Sequence, residues 1–291
     1  DTGSPMVDAR LKDGSRLHAI IPPLCARGTI VSIRRFRVNP FSTDELVSTG
    51  FINEPMLELL QLLVAARVNI VVSGSAATGK TTLLNMISRF IPDDERIVTI
   101  EETAELRLEH PHVIPLESRP ANAEGRGGVG LRGLVKNALR MRADRIIVGE
   151  VRGAEVFDML QAMNTGHDGS LTTIHSNSPR DSLTRLESMI LMTGVNLPEK
   201  AMRFMVSSAL DVVIQASRMT DGSRKITSVA EVVGMEGDVI TLQDIFVFER
   251  HGLDKDGKVV GEHRSTGIRP KFTERLEMAG IEVPENLFNN F

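Results

Sequence analysis

The sequence predicts an α/β protein: a mostly parallel sheet covered on both faces, ending in antiparallel strands and preceded by a small β-rich piece. Three observations predict it. From residue 69 onward, short runs of Val and Ile alternate with segments whose apolar residues recur at helical spacing, the pattern of strand–helix–strand units in a parallel sheet. The first run feeds into "GSAATGKT", a glycine-bounded loop ending in Lys-Thr at a strand-to-helix joint. Beyond residue 205 the rhythm changes to strand-like runs separated by Asp221-Gly222 and Glu236-Gly237-Asp238, which reads as a meander.

Residues 1–38 carry "MVDARL", "RLHAII" and "GTIVSIRRF" between Asp13-Gly14 and Pro22-Pro23, a partial β-rich domain too short to stand alone. Residues 39–52 form a linker with a short helix, opened by the capping box of Ser42 and Glu45. The large domain is placed at 53–291. Its first helix starts near Asn53 and Pro55 and runs through "MLELLQLLVAARV". The strand "NIVVSG" follows, then a helix over "KTTLLNMISRF" that buries Leu83, Met86, Ile87 and Phe90. Next come a strand over 96–102, a helix over 131–142, the strand "RIIVGEV", a helix over 154–166 and a strand over 170–175. The strands "DVVIQASRM", "KITSVAEVVGM" and "VITLQDIFVFER" and a helix near "KFTERLEMAG" complete the chain.

Composition, 41 % hydrophobic and 25 % charged over 291 residues, is that of a globular protein able to bury a sizeable core. A net charge of −4, no Trp or Tyr and only 11 Phe argue against direct nucleic-acid binding, which wants a basic face and stacking platforms. The one cysteine, Cys25, excludes an internal disulfide, fits a reducing compartment and reads as an inert thiol. The most apolar stretch, Leu57 to Val72, is interrupted by Glu58, Gln61, Arg67 and Asn69 and falls short of the ~20 residues of a membrane span. The start has no secretory signal pattern, and without an initiator methionine it reads as a trimmed chain.

The chemistry is carried by four segments. In Gly74, Ser75, Ala76, Ala77, Thr78, Gly79, Lys80, Thr81 and Thr82, the loop N–H groups and a helix N-terminus offer a nest for phosphates. Lys80 brings a mobile positive charge, and the Thr81 hydroxyl suits Mg²⁺. The strand "IVTI" ends in Glu101 and Glu102, with Glu105 further on. These acids either cap the following segment or face the crevice, where one orients the attacking water; alternation lets only one of the pair face a phosphate. Glu150 in "IIVGEVRG" ends another strand, either as a surface acid or as the Mg²⁺-side carboxylate acting through water. "TGHDGSLTTIHSNSP" sets His167 and His175 at either end of a loop and strand, as structural histidines or as sensors of nucleotide state. Neither has the partners of a zinc site. "EHPH" (109–112) reads as a surface loop and "DKDGK" (254–258) as a hairpin turn. Arg16, Arg34, Arg35 and Arg37, with Arg119, Arg126, Arg132, Arg140 and Arg142, are open between ion pairs and interface arginines acting on nucleotide.

In this order, "GSAATGKTT", "IVTIEETAEL", "RIIVGEVRG" and "TGHDGSLTTIHSNSP" resemble the Walker A, Asp box, Walker B and His box of the secretion ATPase superfamily, which drives type II and type IV secretion and pilus machines. "DARLKDGSRLHAIIPPL", "VSIRRF" and the tail from "KITSVAEVVGM" to "TGIRPKF" look most like the Tad/Flp (tight adherence) pilus assembly ATPases. The resemblance implies a RecA-like P-loop domain, ATP and Mg²⁺ as ligands, and a homo-hexamer. It places the protein in the cytoplasm, peripheral to the inner membrane and acting on a membrane platform protein. It implies that Lys80 and Thr81 grip phosphates and Mg²⁺ and that Glu101 activates water. Glu150 would stand on the Mg²⁺ side and His175 would face the γ-phosphate, with His167 more structural. Arg16 and Arg34 sit where small-domain arginines reach the nucleotide. Members carry a further amino-terminal region ahead of this start. Ala77 stands where a glycine is usual, and Glu102 where an aspartate is usual. A DNA-translocating, conjugation-type motor and a nucleotide-binding component that does not hydrolyse are the alternatives.

Overall fold

The computed structural model describes residues 3–35, 41–122 and 124–289, and its contacts divide the chain into Asp1–Pro40 and Phe41–Phe291. The smaller unit is an antiparallel sheet of β1 (Met6–Arg10), β2 (Arg16–Ile20) and β3 (Ile30–Arg34). Asp13 shapes its first turn, accepting from the backbone N–H and hydroxyl of Ser15. Arg16 and Arg34 face each other in register across β2 and β3. Arg37 lies outside the described residues.

The larger unit opens with α1 (Thr43–Ser48), and the capping box foreseen in the sequence is formed. Ser42 accepts from the Glu45 N–H at 3.1 Å and Glu45 accepts from the Ser42 N–H at 2.9 Å. In α2 (Glu54–Ala65) Asn53 caps the start and Pro55 occupies the first turn, where its missing N–H costs nothing. Then follow β4 (Ile70–Ser73), α3 (Lys80–Ser88), β5 (Ile97–Glu101), β6 (Val113–Glu117), α4 (Leu131–Ala138), β7 (Arg145–Val151) and α5 (Glu155–Asn164). After β8 (Leu171–Ile174) come α6 (Pro179–Leu191), α7 (Glu199–Ala209), β9 (Val212–Arg218), β10 (Arg224–Glu236), β11 (Val239–Leu253), β12 (Val259–Ser265) and α8 (Phe272–Met278).

One sheet joins nine strands in the order β12-β11-β10-β9-β4-β8-β7-β5-β6. Strands β4 to β8 are parallel, and consecutive residues of β4 show why both faces are apolar: Ile70 and Val72 join the core under α2 and α3, while Val71 joins the core under α4 to α7. "DVVIQASRM" is not a free-standing part of an antiparallel meander, because β9 pairs parallel with β4. The crossover through α6 and α7 returns the chain in the same direction as β8; only the tight turns after β9 reverse it.

At the end of the strands opposite the loop of residues 74–81, Arg145 is fully buried against Glu95, with nitrogen–oxygen distances of 2.6 and 2.9 Å, and also donates to the Val64 carbonyl. The pair ties β7 to the turn before β5 and to the end of α2. No helix among the described residues is long and apolar enough to cross a membrane.

Candidate active site

The loop of residues 74–79 leaves β4 and enters α3, as the sequence predicts, and its conformation is set by three residues. Gly74 is required sterically: a Cβ there would lie 2.4 Å from Thr78 Oγ1 and 2.5 Å from the Ala216 carbonyl oxygen. Ala77 has φ 60° and Gly79 φ 101°, so the loop turns twice through the left-handed region before the helix begins. Ser75 to Ala77 are exposed, whereas Thr78 is buried and donates to the Ser75 carbonyl at 3.0 Å. Lys80 donates to the same carbonyl at 2.9 Å. Thr81 and Thr82, in the first turn of α3, are half-buried.

Parallel strands bring three other segments to this end of the sheet. Glu150 sits near the end of β7, where the pairing with β8 slips between Val148 and Val151. The displaced carbonyls are satisfied by threonines of β8: Thr172 donates to Val148 at 2.9 Å and Thr173 to Gly149 at 2.7 Å. Such an irregularity re-aims a side chain. Here one carboxylate oxygen of Glu150 contacts His175 Nδ1 and stands 3.9 Å from Lys80 Nζ. Lys80, Glu150 and His175 therefore converge.

Glu101 ends β5, which β8 and β7 separate from β4 and the loop, and is only 6 % exposed. One of its oxygens accepts from the N–H groups of Glu105 and Leu106 at 2.9 and 3.0 Å. Burial pushes its carboxyl up to about 7, with those two hydrogen bonds opposing the shift. Gly149 makes room for it, since a Cβ at 149 would lie 2.8 Å from Glu101 Cγ. The glycine beside Glu150 is thus a packing requirement of Glu101. Glu102 is exposed and pairs with Arg152 at 3.1 Å.

His167 and His175 lie at opposite ends of β8, so the two do not share a site. His167 Nδ1 is buried with no hydrogen-bond partner among the described residues. No group of three or more His, Cys, Asp or Glu among the described residues is placed to hold a metal ion. His110 binds the Pro92 carbonyl and His112 meets Arg96 in a surface loop, and Asp254 caps its own hairpin turn between β11 and β12. Arg132 pairs with Asp158 at 2.6 Å.

Magnesium fits the residues present. The Thr81 hydroxyl and the Glu150 carboxylate are hard oxygen donors, and Mg²⁺ is usually held by one or two protein groups together with phosphates and water. Lys80, which with Thr78 grips the Ser75 carbonyl, also stands 3.9 Å from Glu150.

Three residues escaped the sequence reading. Arg152 lies 3.4 Å from Glu150 as well as pairing with Glu102, which puts a cation between the acidic strand ends. Gln215 on β9, in register with Ser73 of β4, is buried beside the loop, and its Oε1 has no hydrogen-bond partner among the described residues. Arg224, at the start of β10, donates from Nε to the Ala77 carbonyl at 2.7 Å. Arg152 lies within "RIIVGEVRG", where its spacing from Glu150 is the available signal. No sequence pattern marks the other two.

Residues 1–252 match the sequence family described as type II/IV secretion system protein. Over 245 residues the chain is 40 % identical to a putative conjugal transfer protein of Mycobacterium tuberculosis, covering 82 % of this chain and 69 % of that one. It is 36 % identical over 253 residues to the type IV secretion system protein PtlH of Bordetella pertussis, covering 76 % and 73 %. Among solved structures, the VirB11 ATPase from the Brucella suis type IV secretion system, in complex with sulphate, superposes with a TM-score of 0.55 at 29 % identity, over 79 % of this chain and 75 % of that one.

Proposed function

Since the chain belongs to the type II/IV secretion system protein family, we propose that it is an ATP-hydrolysing motor of the secretion ATPase superfamily, serving pilus assembly of the Tad/Flp type. It works as a homo-hexamer in the cytoplasm, peripheral to the inner membrane, and passes its movement to a platform protein there. The observation that carries the enzymatic reading is the convergence of Lys80 and His175 on one oxygen of Glu150 beside the phosphate loop.

In this reading the loop N–H groups and Lys80 hold the β- and γ-phosphates, with Lys80 exchanging the Ser75 carbonyl for phosphate oxygen. Thr81 and Glu150 hold Mg²⁺, which offsets charge on the phosphates. Glu101 takes the proton of the attacking water. Its raised pKa suits a base working near neutrality, and its bonds to the 105 and 106 N–H groups fix its orientation. His175, already paired with Glu150, reports on the γ-phosphate. Arg16 and Arg34 are assigned to nucleotide binding, as the family resemblance implies. Mg²⁺-dependent release of phosphate from ATP tests the reading, and Lys80→Ala and Glu101→Gln are each expected to lower it about 100-fold or more. Wild-type turnover in both variants overturns it. Light scattering with Mg²⁺ and a non-hydrolysable ATP analogue is expected to report a hexamer.

A conjugation-type motor is the second reading, favoured by the name of the Mycobacterium tuberculosis relative. Turnover stimulated by single- or double-stranded DNA supports it. The net charge of −4 favours the first.

A further inference from the structure

We infer that Arg224 is a positioning residue for the phosphate loop: its guanidinium holds the Ala77 carbonyl, keeps residue 77 left-handed and thereby aims the next N–H into the phosphate cradle. The inference rests on reading residues 74–81 as a nucleotide site.

Ala77 is one of three non-glycine residues among those described with positive φ, beside Arg67 and Arg142. A residue with a Cβ pays for that conformation, and the penalty weighs against it by a factor of roughly 5 to 30 in population. Something must therefore hold the loop in place. The Arg224 Nε lies 2.7 Å from the Ala77 carbonyl oxygen, and a donor carrying positive charge makes the stronger class of hydrogen bond. In a trans peptide the carbonyl and the following N–H point in opposite directions. Fixing the Ala77 carbonyl toward Arg224 thus turns the Thr78 N–H the other way, so this contact decides the direction of one of the loop's anion-binding groups.

Arg224 is well placed for the task because its own backbone is fixed. It begins β10 directly after a turn in which Asp221 accepts from the Ser223 N–H at 2.9 Å and the Ser223 hydroxyl at 2.7 Å, and from the Val259 N–H at 2.8 Å. The next two residues are anchored as well: Lys225 donates to the Gly50 carbonyl at 2.7 Å and Ile226 donates to the Phe51 carbonyl at 2.9 Å. The same two elements grip the loop a second time. A Cβ on Gly79 would meet the Phe51 ring at 3.3 Å and the Arg224 Cδ at 3.7 Å, so ring and arginine stem both close on residue 79. The turn between β9 and β10 and the segment before α2 thereby form a brace on the outer side of the loop.

The experiment is a binding titration of a non-hydrolysable ATP analogue with Mg²⁺ on the full chain, for wild type, Lys80→Ala, Arg224→Gln, Ala77→Gly and the double variant, with thermal midpoints recorded alongside. Arg224 is exposed, so the midpoint of Arg224→Gln is expected to stay near that of wild type. Arg224→Gln is expected to weaken binding about 10-fold in the alanine loop. In the Ala77→Gly background the same change is expected to cost about 2-fold or less, because glycine enters the left-handed region without strain. An equal loss in both backgrounds overturns the inference, since the arginine would then act on the phosphates directly. Unchanged binding in Arg224→Gln, with binding lost in Lys80→Ala, also overturns it while leaving the nucleotide site intact. No binding by wild type overturns both.

Discussion

Replacing Glu101 by glutamine removes a carboxylate that folding has to strip of water, while keeping its shape and an oxygen to accept from the Glu105 and Leu106 N–H groups. The carboxyl titrates near 4.5 when exposed and near 7 in the folded protein, with burial as the main cause. The folded chain thus keeps a proton that the unfolded chain has already released, so between these values stability falls as pH rises. At ~1.4 kcal/mol per unit, the full shift from 4.5 to about 7 is worth about 3 kcal/mol, an upper bound on what the charged form costs at pH 8. Glu101→Gln avoids that cost. In thermal and urea melts without nucleotide, variant and wild type are expected to match near pH 4.5 and to separate through pH 6 and 7. At pH 8 the variant leads by up to about 3 kcal/mol, on the order of 5–10 °C for a domain of this size. With Glu101 as the proposed base, the same variant is expected to lose hydrolysis, so stability and activity would move in opposite directions. A stability difference independent of pH, or a variant less stable than wild type at pH 8, would refute the buried-base assignment.

Three further outcomes follow from the same geometry. If Glu101 is the base, turnover of wild type rises with pH through about 7, which a pH–rate profile at saturating Mg²⁺ and ATP records. Gly149→Ala places a methyl 2.8 Å from Glu101 Cγ; kcat is expected to drop on the order of 10²-fold through displacement of that side chain, with analogue binding little changed, as single-turnover kinetics and titration read out. Glu95→Gln leaves Arg145 buried without its counter-charge and is expected to cost about 3–5 kcal/mol in urea unfolding, with the nucleotide loop untouched.

What the sequence made legible is what lies close along the chain. The phosphate loop, the capping box at Ser42 and Glu45, and the acids at the ends of β5 and β7 each follow from a few adjacent residues, and each stands where its pattern put it. The strand β6 is poorly marked in the sequence, since "VIPLE" contains Pro115, which weighs against a strand, although an edge position tolerates a residue without an N–H. The helices α6 and α7 carry start signals in Ser178 with Pro179 and in Pro198, local marks that fix where a helix begins but not where it packs. Arg224 was beyond reach for a different reason. It lies 147 residues from Ala77, and the two meet only because β9 crosses over to pair with β4 and the following turn brings β10 back along the loop.

That crossover also explains why an alanine is tolerated at residue 77. The phosphate loop of a parallel sheet hangs between the end of one strand and the start of one helix, so its backbone is steadied only by what neighbouring strands supply. On the β8 side the support is at the root of the loop only: the Gly74 N–H donates to the Ile174 carbonyl at 3.2 Å and the Ser176 N–H to the Gly74 carbonyl at 3.4 Å. On the β9 side the support includes the Ala216 carbonyl packed against Gly74 and Arg224 on the Ala77 carbonyl. The antiparallel strands after β9 thus do more than extend the sheet. They carry a cation to the outer turn of the loop, where it offsets a backbone strain that a glycine would not have incurred.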